Sequence, residues 1–366
     1  MPDPRDLGPA AAAEALPLAA QLPPVFVTLT RGGIPESMHA VHVAVVDGDG
    51  RLLAGAGDPG RVAFLRSSAK PLQALPLVES GAADAFGLEP AELAVACGSH
   101  EGAAIHQRTV QGLLRKAGLS EDDLRCGLHP PGDAEAAAAL ARAGEPPRRI
   151  HNNCSGKHAG MLATCVHRGW PLDYLRVDHP LQRWIQEIVA GACGEAATLG
   201  VDGCGVPTFG VSLRGMALSF ARFGSGRGLP AARAGAARRL AMAMAAHPVL
   251  VSGEGSFNTL LLARHGVRWV TKGGAEGVWC LGLRDGGGAG LGIALKVQDG
   301  SHRPSAAVLL QAMAALGVPG ATDPALAPWA YPVVRNTLDA VVGEMQVVFP
   351  EGFGEAWAQR VPQGLP

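Results

Sequence analysis

The sequence lacks an excess of either charge. Its 31 lysines and arginines face 32 aspartates and glutamates, for a formal net charge of −1. A nucleic-acid binder carries a basic face that meets phosphates, so this balance argues against nucleic acid as a partner. Also missing is any run of about 18 apolar residues free of charges and turn formers, so no membrane span is expected. Residues 1–24 lack the basic start and unbroken apolar core of a secretory signal, because Asp3, Asp6, Glu14 and scattered prolines interrupt the Ala/Leu run. They read as a disordered Ala/Pro-rich tail, and the expected location is the cytoplasm. The seven cysteines (97, 126, 154, 165, 193, 204 and 280) are odd in number and dispersed, unlike a disulfide framework. Most are expected to be small buried hydrophobes.

What is present is apolar bulk: 48% of the 366 residues are hydrophobic, enough for a substantial core. Ordered sequence is expected from Val25, with residues 25–366 as one catalytic domain. VFVTLTRGG reads as a strand, and HVAVVDGDGRLLAG as a hairpin turning at Asp47-Gly48-Asp49-Gly50. Helical spacing is expected over 71–80, 102–118, 158–168, 180–193 and 231–246, the last stopped by His247-Pro248. Residues 121–150 run from acidic to Pro-rich to Ala-rich and read as partly mobile. Three strands are expected within 267–298, then an apolar helix over 302–316. Strands at both ends with helices between predict an α+β fold, an antiparallel sheet covered by helices.

Four segments concentrate chemistry. In Arg66-Ser67-Ser68-Ala69-Lys70, a serine and a lysine three residues apart can form a nucleophile–base pair across one helical turn. The lysine serves as base only if burial or a nearby cation keeps it neutral. In isolation the pattern occurs by chance, with a serine capping a helix and Lys70 as surface charge. Pro71 further biases Lys70 away from helical backbone, placing the pair at a helix entrance. Thr271-Lys272-Gly273-Gly274 ends an expected strand, and its glycines leave room for close approach of a ligand. An S-x-x-K pair followed by a lysine-glycine strand is the order found in serine β-lactamases and penicillin-binding proteins.

Cys97-Gly98-Ser99-His100-Glu101-Gly102 falls short of a zinc-protease H-E-x-x-H, since position 104 is alanine. Ser99 reads as a second hydroxyl near a site, or as a turn residue. His151-Asn152-Asn153-Cys154-Ser155-Gly156-Lys157-His158 and the distant Asp202-Gly203-Cys204-Gly205 supply two thiols, which alone do not establish a metal site.

Together, R-S-S-A-K-P, A-C-G-S-H-E-G, H-N-N-C-S-G-K-H, D-G-C-G-V-P and T-K-G-G, in this order, resemble the rhizobial-type L-asparaginase family (asparaginase II) over residues 25–330. The resemblance implies hydrolysis of the L-asparagine side-chain amide, a serine β-lactamase-like fold and a homodimer. By motif it implies two serine–lysine tandems, Ser67 with Lys70 and Ser99 with Lys272. It implies one zinc ion per chain on Cys154, Lys157 and Cys204, for which a positioning role is expected. Asp202 would lie in the same pocket and suits the substrate's α-ammonium, with Arg66 for its α-carboxylate. Two alternatives stay open at this level: a β-lactamase or penicillin-binding-like acyl hydrolase, and a non-catalytic zinc or amino-acid binding protein.

Overall fold

A computed structural model describes residues 22–284 and 288–354. The reading of residues 1–24 as a tail falls mainly on 1–21, outside the described residues, as does the 285–287 part of the glycine-rich loop between two expected strands.

Eleven strands occur among the described residues: β1 (Val25–Arg31), β2 (Ile34–Asp47), β3 (Leu52–Ala56), β4 (Val62–Phe64), β5 (Thr198–Val201), β6 (Pro207–Ser212), β7 (Trp269–Gly274), β8 (Val278–Leu283), β9 (Leu291–Val297), β10 (Val333–Arg335) and β11 (Val341–Val348). Eight of them form one sheet in the order β10-β11-β1-β2-β9-β8-β7, with β3 beside β2. Every pairing is antiparallel. The expectation of an antiparallel sheet assembled from both chain ends and covered by helices agrees with this architecture. The C-terminal contribution is larger than read: β11 pairs with β1, Phe26 opposite Val348, beyond the last strand expected from sequence.

The sheet is buried on both faces over its centre, and the strands show why. In β2, Val41, Val43 and Val45 enter one core with the helix Ser305–Ala315, while Ala44 and Val46 enter the other. Residues 269/270, 280/281 and 293/294 split the same way, as the two-residue period of a strand requires. Such strands read as continuous apolar runs rather than as alternations.

On the second face lies the helix Leu213–Ser225, which the sequence reading missed. Its backbone rides unusually close to the sheet: a Cβ at Gly292 would overlap the Ala217 carbonyl, and one at Gly282 the Phe220 carbonyl. We expect Gly292→Val to destabilise the fold by about 3 kcal/mol or more, through overpacking with no flexible side chain to yield. Urea unfolding of the two proteins checks this.

A second, three-stranded sheet has β6 between β4 and β5. It positions the site, since β4 runs into Ser67 and β5 into Asp202. Residues 121–150, expected to be partly mobile, form a helix over Ala134–Ala143 and 3-10 turns at Glu121–Asp123 and Arg149–His151. Asp133 caps that helix through the Ala136 N–H, a local signal inside a Pro-rich context. Among the described residues, no helix is long and apolar enough to cross a membrane.

Candidate active site

Chain order separates Arg66 from Asp202 by 136 positions, and the small sheet brings them together. Leu65 N–H donates to the Phe209 carbonyl on β6, fixing the turn that follows β4. Arg66 then adopts φ 49°, a left-handed conformation costing a non-glycine residue about 1–2 kcal/mol. Strain of this kind collects at functional turns and needs surrounding structure to hold it. Here the Arg66 guanidinium donates from Nε to Asp202 Oδ1 at 2.9 Å. The Ser68 hydroxyl donates back to the Leu65 carbonyl.

Past this turn a 3-10 segment, Arg66–Ala69, runs into the short helix Lys70–Gln73. The pair Ser67–Lys70 therefore stands at a helix entrance. Lys70 is nevertheless helical (φ −57°, ψ −40°), contrary to the bias expected from Pro71. The proline sits in the first turn of the helix, where its missing N–H leaves no bond unmade. The Lys70 side chain is fully buried, while Ser67 is half-buried.

Gly273 and Gly274 were expected to leave room for a ligand; in the structure the chain itself fills that room. A Cβ at Gly274 would lie 2.6 Å from the Leu65 carbonyl, and one at Gly273 would meet the Trp279 ring. The glycines let the end of β7 press against the Ser67 turn, which brings Lys272 to the same centre.

The other motifs converge from the helical side. Lys70 Nζ donates to Ser99 Oγ at 2.8 Å and to the Asn153 carbonyl at 3.2 Å. The same carbonyl accepts the His100 N–H, and Ser99 N–H is held by the Val251 carbonyl. His100 Nδ1 accepts the Gly102 N–H, so Nε2 carries the proton and donates to Ser155 Oγ at 2.9 Å. Ser155 donates in turn to the Ile150 carbonyl. This chain ties the Ser99 loop to the turn bearing Cys154. The contacts made by Asn153 and Val251 use backbone carbonyls, for which side-chain identity gives no sequence signal.

Among the described residues, no hydrogen bond joins Lys70 to Ser67 or Lys272 to Ser99. Lys272 Nζ instead donates to the Gly273 carbonyl. The lysine that touches a candidate serine is thus Lys70, and the serine is Ser99.

On the far side of Lys70, Lys157 Nζ lies 3.1 Å from Cys204 Sγ, and Cys154 and Cys204 share a thiol hydrogen bond. Both sulfurs and the amine are nearly fully buried. The hydrogen bond from Cys154, then the Lys157 charge, bring Cys204 down to about 5, while the same hydrogen bond and burial push Cys154 up to about 12. Burial disfavours the Lys157 ammonium, but the Cys204 and Cys154 charges outweigh it and raise its pKa. Burial pulls Lys70 down, with Lys157 adding to the effect against the two thiols. Lys272 falls to about 7, through burial and then the Lys70 charge. Asp202 resists burial and stays below its usual range, held by Lys157, the Gly203 N–H and Arg66. The centre therefore offers two depressed lysines, two serines, one thiolate and a carboxylate–guanidinium pair: nucleophiles beside bases, the equipment of a hydrolase.

Comparison with known proteins agrees with that class. The chain belongs to the L-asparaginase II family, whose profile matches residues 27–347. Membership places it among hydrolases. No curated protein sequence matches it. Solved structures of Mglu are similar at 15% identity: the native form in 4.3 M NaCl over 72% of this chain and 57% of that one, at a TM-score of 0.30. A second native form matches over 72% and 60%, at 0.31. The match spans less than two thirds of those chains, and at these TM-scores the likeness carries no argument about the fold.

Proposed function

We propose that this chain is an L-asparaginase that hydrolyses the side-chain amide of L-asparagine through serine–lysine chemistry. The observation carrying this reading is a buried Lys70, held toward neutrality, bonded to Ser99 and one helical turn from a half-buried Ser67 on a strained backbone, within a family of asparaginases.

Ser67 attacks the amide carbon as its proton passes to Lys70, directly or through Ser99, and the carbonyl π bond opens to an oxyanion. A backbone N–H stabilises that charge, other than those of Ser68 and Lys70, which already serve the Leu65 and Ser67 carbonyls. Collapse of the intermediate breaks the carbon–nitrogen bond. Ammonia leaves with the proton returned by Lys70, and a β-aspartyl ester remains on Ser67. Water then attacks the ester under the same base, releasing aspartate. Lys272 beside Lys70 disfavours a second positive charge there and keeps the base neutral. Asp202 receives the substrate's α-ammonium and Arg66 its α-carboxylate, the incoming zwitterion replacing the ion pair these two make with each other. We further propose a serine β-lactamase-like fold and a cytoplasmic homodimer as the working unit.

The donor set suits zinc. A thiolate, a second thiol and an amine converge in a buried pocket, with N and S close to the spacing two tetrahedral ligands require. Cys154, Lys157 and Cys204 would hold one ion, whose chemistry when bound would be Lewis acidity. We assign it a positioning role, because the serine–lysine apparatus is complete without it. Lys157 must shed a proton to ligate, so zinc affinity falls as pH drops. Stripping the metal, with loss confirmed by elemental analysis, is expected to leave asparaginase activity within about threefold. Complete loss restored by zinc contradicts this.

Ammonia release from L-asparagine, with nitrocefin hydrolysis run alongside, tests the function. We expect the first and not the second. Nitrocefin turnover without ammonia release would assign the site to a penicillin-recognising hydrolase, and asparagine binding without turnover to a binding protein.

A further inference from the structure

Behind the Ser99 loop lies a cavity of about 540 Å³ that shares no residue with the serine–lysine centre. It opens between the helices Ala104–Lys116 and Ala134–Ala143 and has the size of a small-molecule site. Glu101, Asp133, His106 and His151 line its inner part, and Glu135, Glu145 and Glu254 its exposed rim. None of the four glutamate carboxylates has a cationic partner among the described residues. The cationic side chain in the lining, Arg148, is held by Glu121 at 3.0 Å.

A second observation is independent of the carboxylates. His106 is 1% exposed and stacks on His100, ring centroids 4.9 Å apart. Its Nε2 pairs with the Val249 carbonyl at 2.9 Å, so Nε2 carries the proton and Nδ1 is a bare acceptor. That Nδ1 is buried with no partner. An orphaned buried acceptor costs about 1–3 kcal/mol until a donor arrives. Glu101, half-buried in the cavity wall, is also disfavoured as a lone anion: burial, then the Asp133 charge, raise its pKa. An N–H-bearing cation relieves both.

We propose that this cavity binds a small organic cation carrying at least one primary ammonium group. Among the described residues no three His, Cys, Asp or Glu side chains gather closely enough to hold a metal ion. The spread-out acceptors suit a ligand that spans the cavity. The volume far exceeds that of a bare ammonium ion, since one water occupies about 30 Å³ in the liquid. An alkyl diamine or a basic amino acid fills it better.

Calorimetry on the full chain tests this at constant ionic strength, with 1,4-diaminobutane, ammonium chloride and tetramethylammonium chloride as probes. We expect one diaminobutane per chain and at least about tenfold weaker tetramethylammonium, which has the charge without N–H donors. Glu101→Gln weakens diaminobutane by about tenfold. The double variant Glu135→Gln/Glu254→Gln, at exposed positions, weakens it by about threefold. Diamine binding with much weaker ammonium upholds the organic amine as occupant, whereas ammonium binding as tightly as the diamine overturns it. No binding up to about 10 mM, equal affinity for tetramethylammonium, or unchanged affinity in both variants overturns it. The readout is independent of asparagine hydrolysis.

Discussion

Ser67→Ala lowers kcat/KM for L-asparagine by at least about 10³-fold, whereas Ser99→Ala lowers it by about 10–10²-fold. The contrast follows from geometry. Ser99 is the serine bonded to Lys70, yet its loop is pinned by the Val251 and Asn153 carbonyls and by His100. Such a hydroxyl relays a proton well but cannot swing toward an incoming carbonyl. Ser67 stands half-buried on a turn whose left-handed Arg66 forces the chain sharply from β4 into the helix. It directly follows Arg66, which pairs with Asp202, and these two are proposed to hold the substrate's α-ammonium and α-carboxylate. Equal thermal midpoints for the two variants would show that the kinetic loss is chemical. A Ser99→Ala variant more damaged than Ser67→Ala would exchange the roles of the two serines.

Lys272→Met, the second large effect, stabilises the protein while impairing it. A buried lysine whose pKa has fallen from 10.5 to about 7 is protonated less readily folded than unfolded. Between those values the unfolded chain binds the extra proton, so folding stability rises with pH across that window. Below about 7 the penalty is fully present. At about 1.4 kcal/mol per pH unit across that window, it approaches about 5 kcal/mol below pH 7. Removing the amine should therefore raise stability most at pH 7 and below, with the gain fading toward pH 10. Activity should fall by about 10–10²-fold, because Lys70 loses the buried amine whose protonation competes with its own. A bend near pH 7 is expected in the wild-type kcat/KM profile and should be absent from the variant. Urea unfolding at pH 7 and pH 10 checks the first part and a pH–rate profile the second. A destabilised variant at pH 7 would mean that Lys272 is held by compensating contacts rather than strained by burial.

Much of the fold was legible because its helices and strands carry strong periodicity. The helix Ala231–Ala246 ends where His247-Pro248 predicts, and β7, β8 and β9 fall within the expected stretch. What escaped depends on pairing. The strands β5 and β6 are short, β11 gains its identity from lying beside β1, and β10 from lying beside β11. The helix Leu213–Ser225 begins inside a run that also suits a strand, and its placement depends on bare backbone at Gly282 and Gly292. At the site, the structure joins Lys70 to Ser99, Lys157 to Cys204 and Arg66 to Asp202, and places Cys154 and Lys272 near Lys70. Spacing could not reveal which serine touches which lysine. The Lys70–Ser99 bond joins residues on separate elements, and the carbonyl that aligns them belongs to the backbone of Asn153. Nor could sequence show that the glycines after Lys272 accommodate the protein's own turn instead of a ligand.

Acid-quenched mass spectrometry of the protein mixed with L-asparagine tests the central claim most directly. A peptide containing Ser67 should carry the added mass of an aspartyl group during turnover, and the adduct should be absent in Ser67→Ala. Steady ammonia release with no acylated peptide, or with the adduct on Ser99, would contradict the assignment of Ser67 as nucleophile.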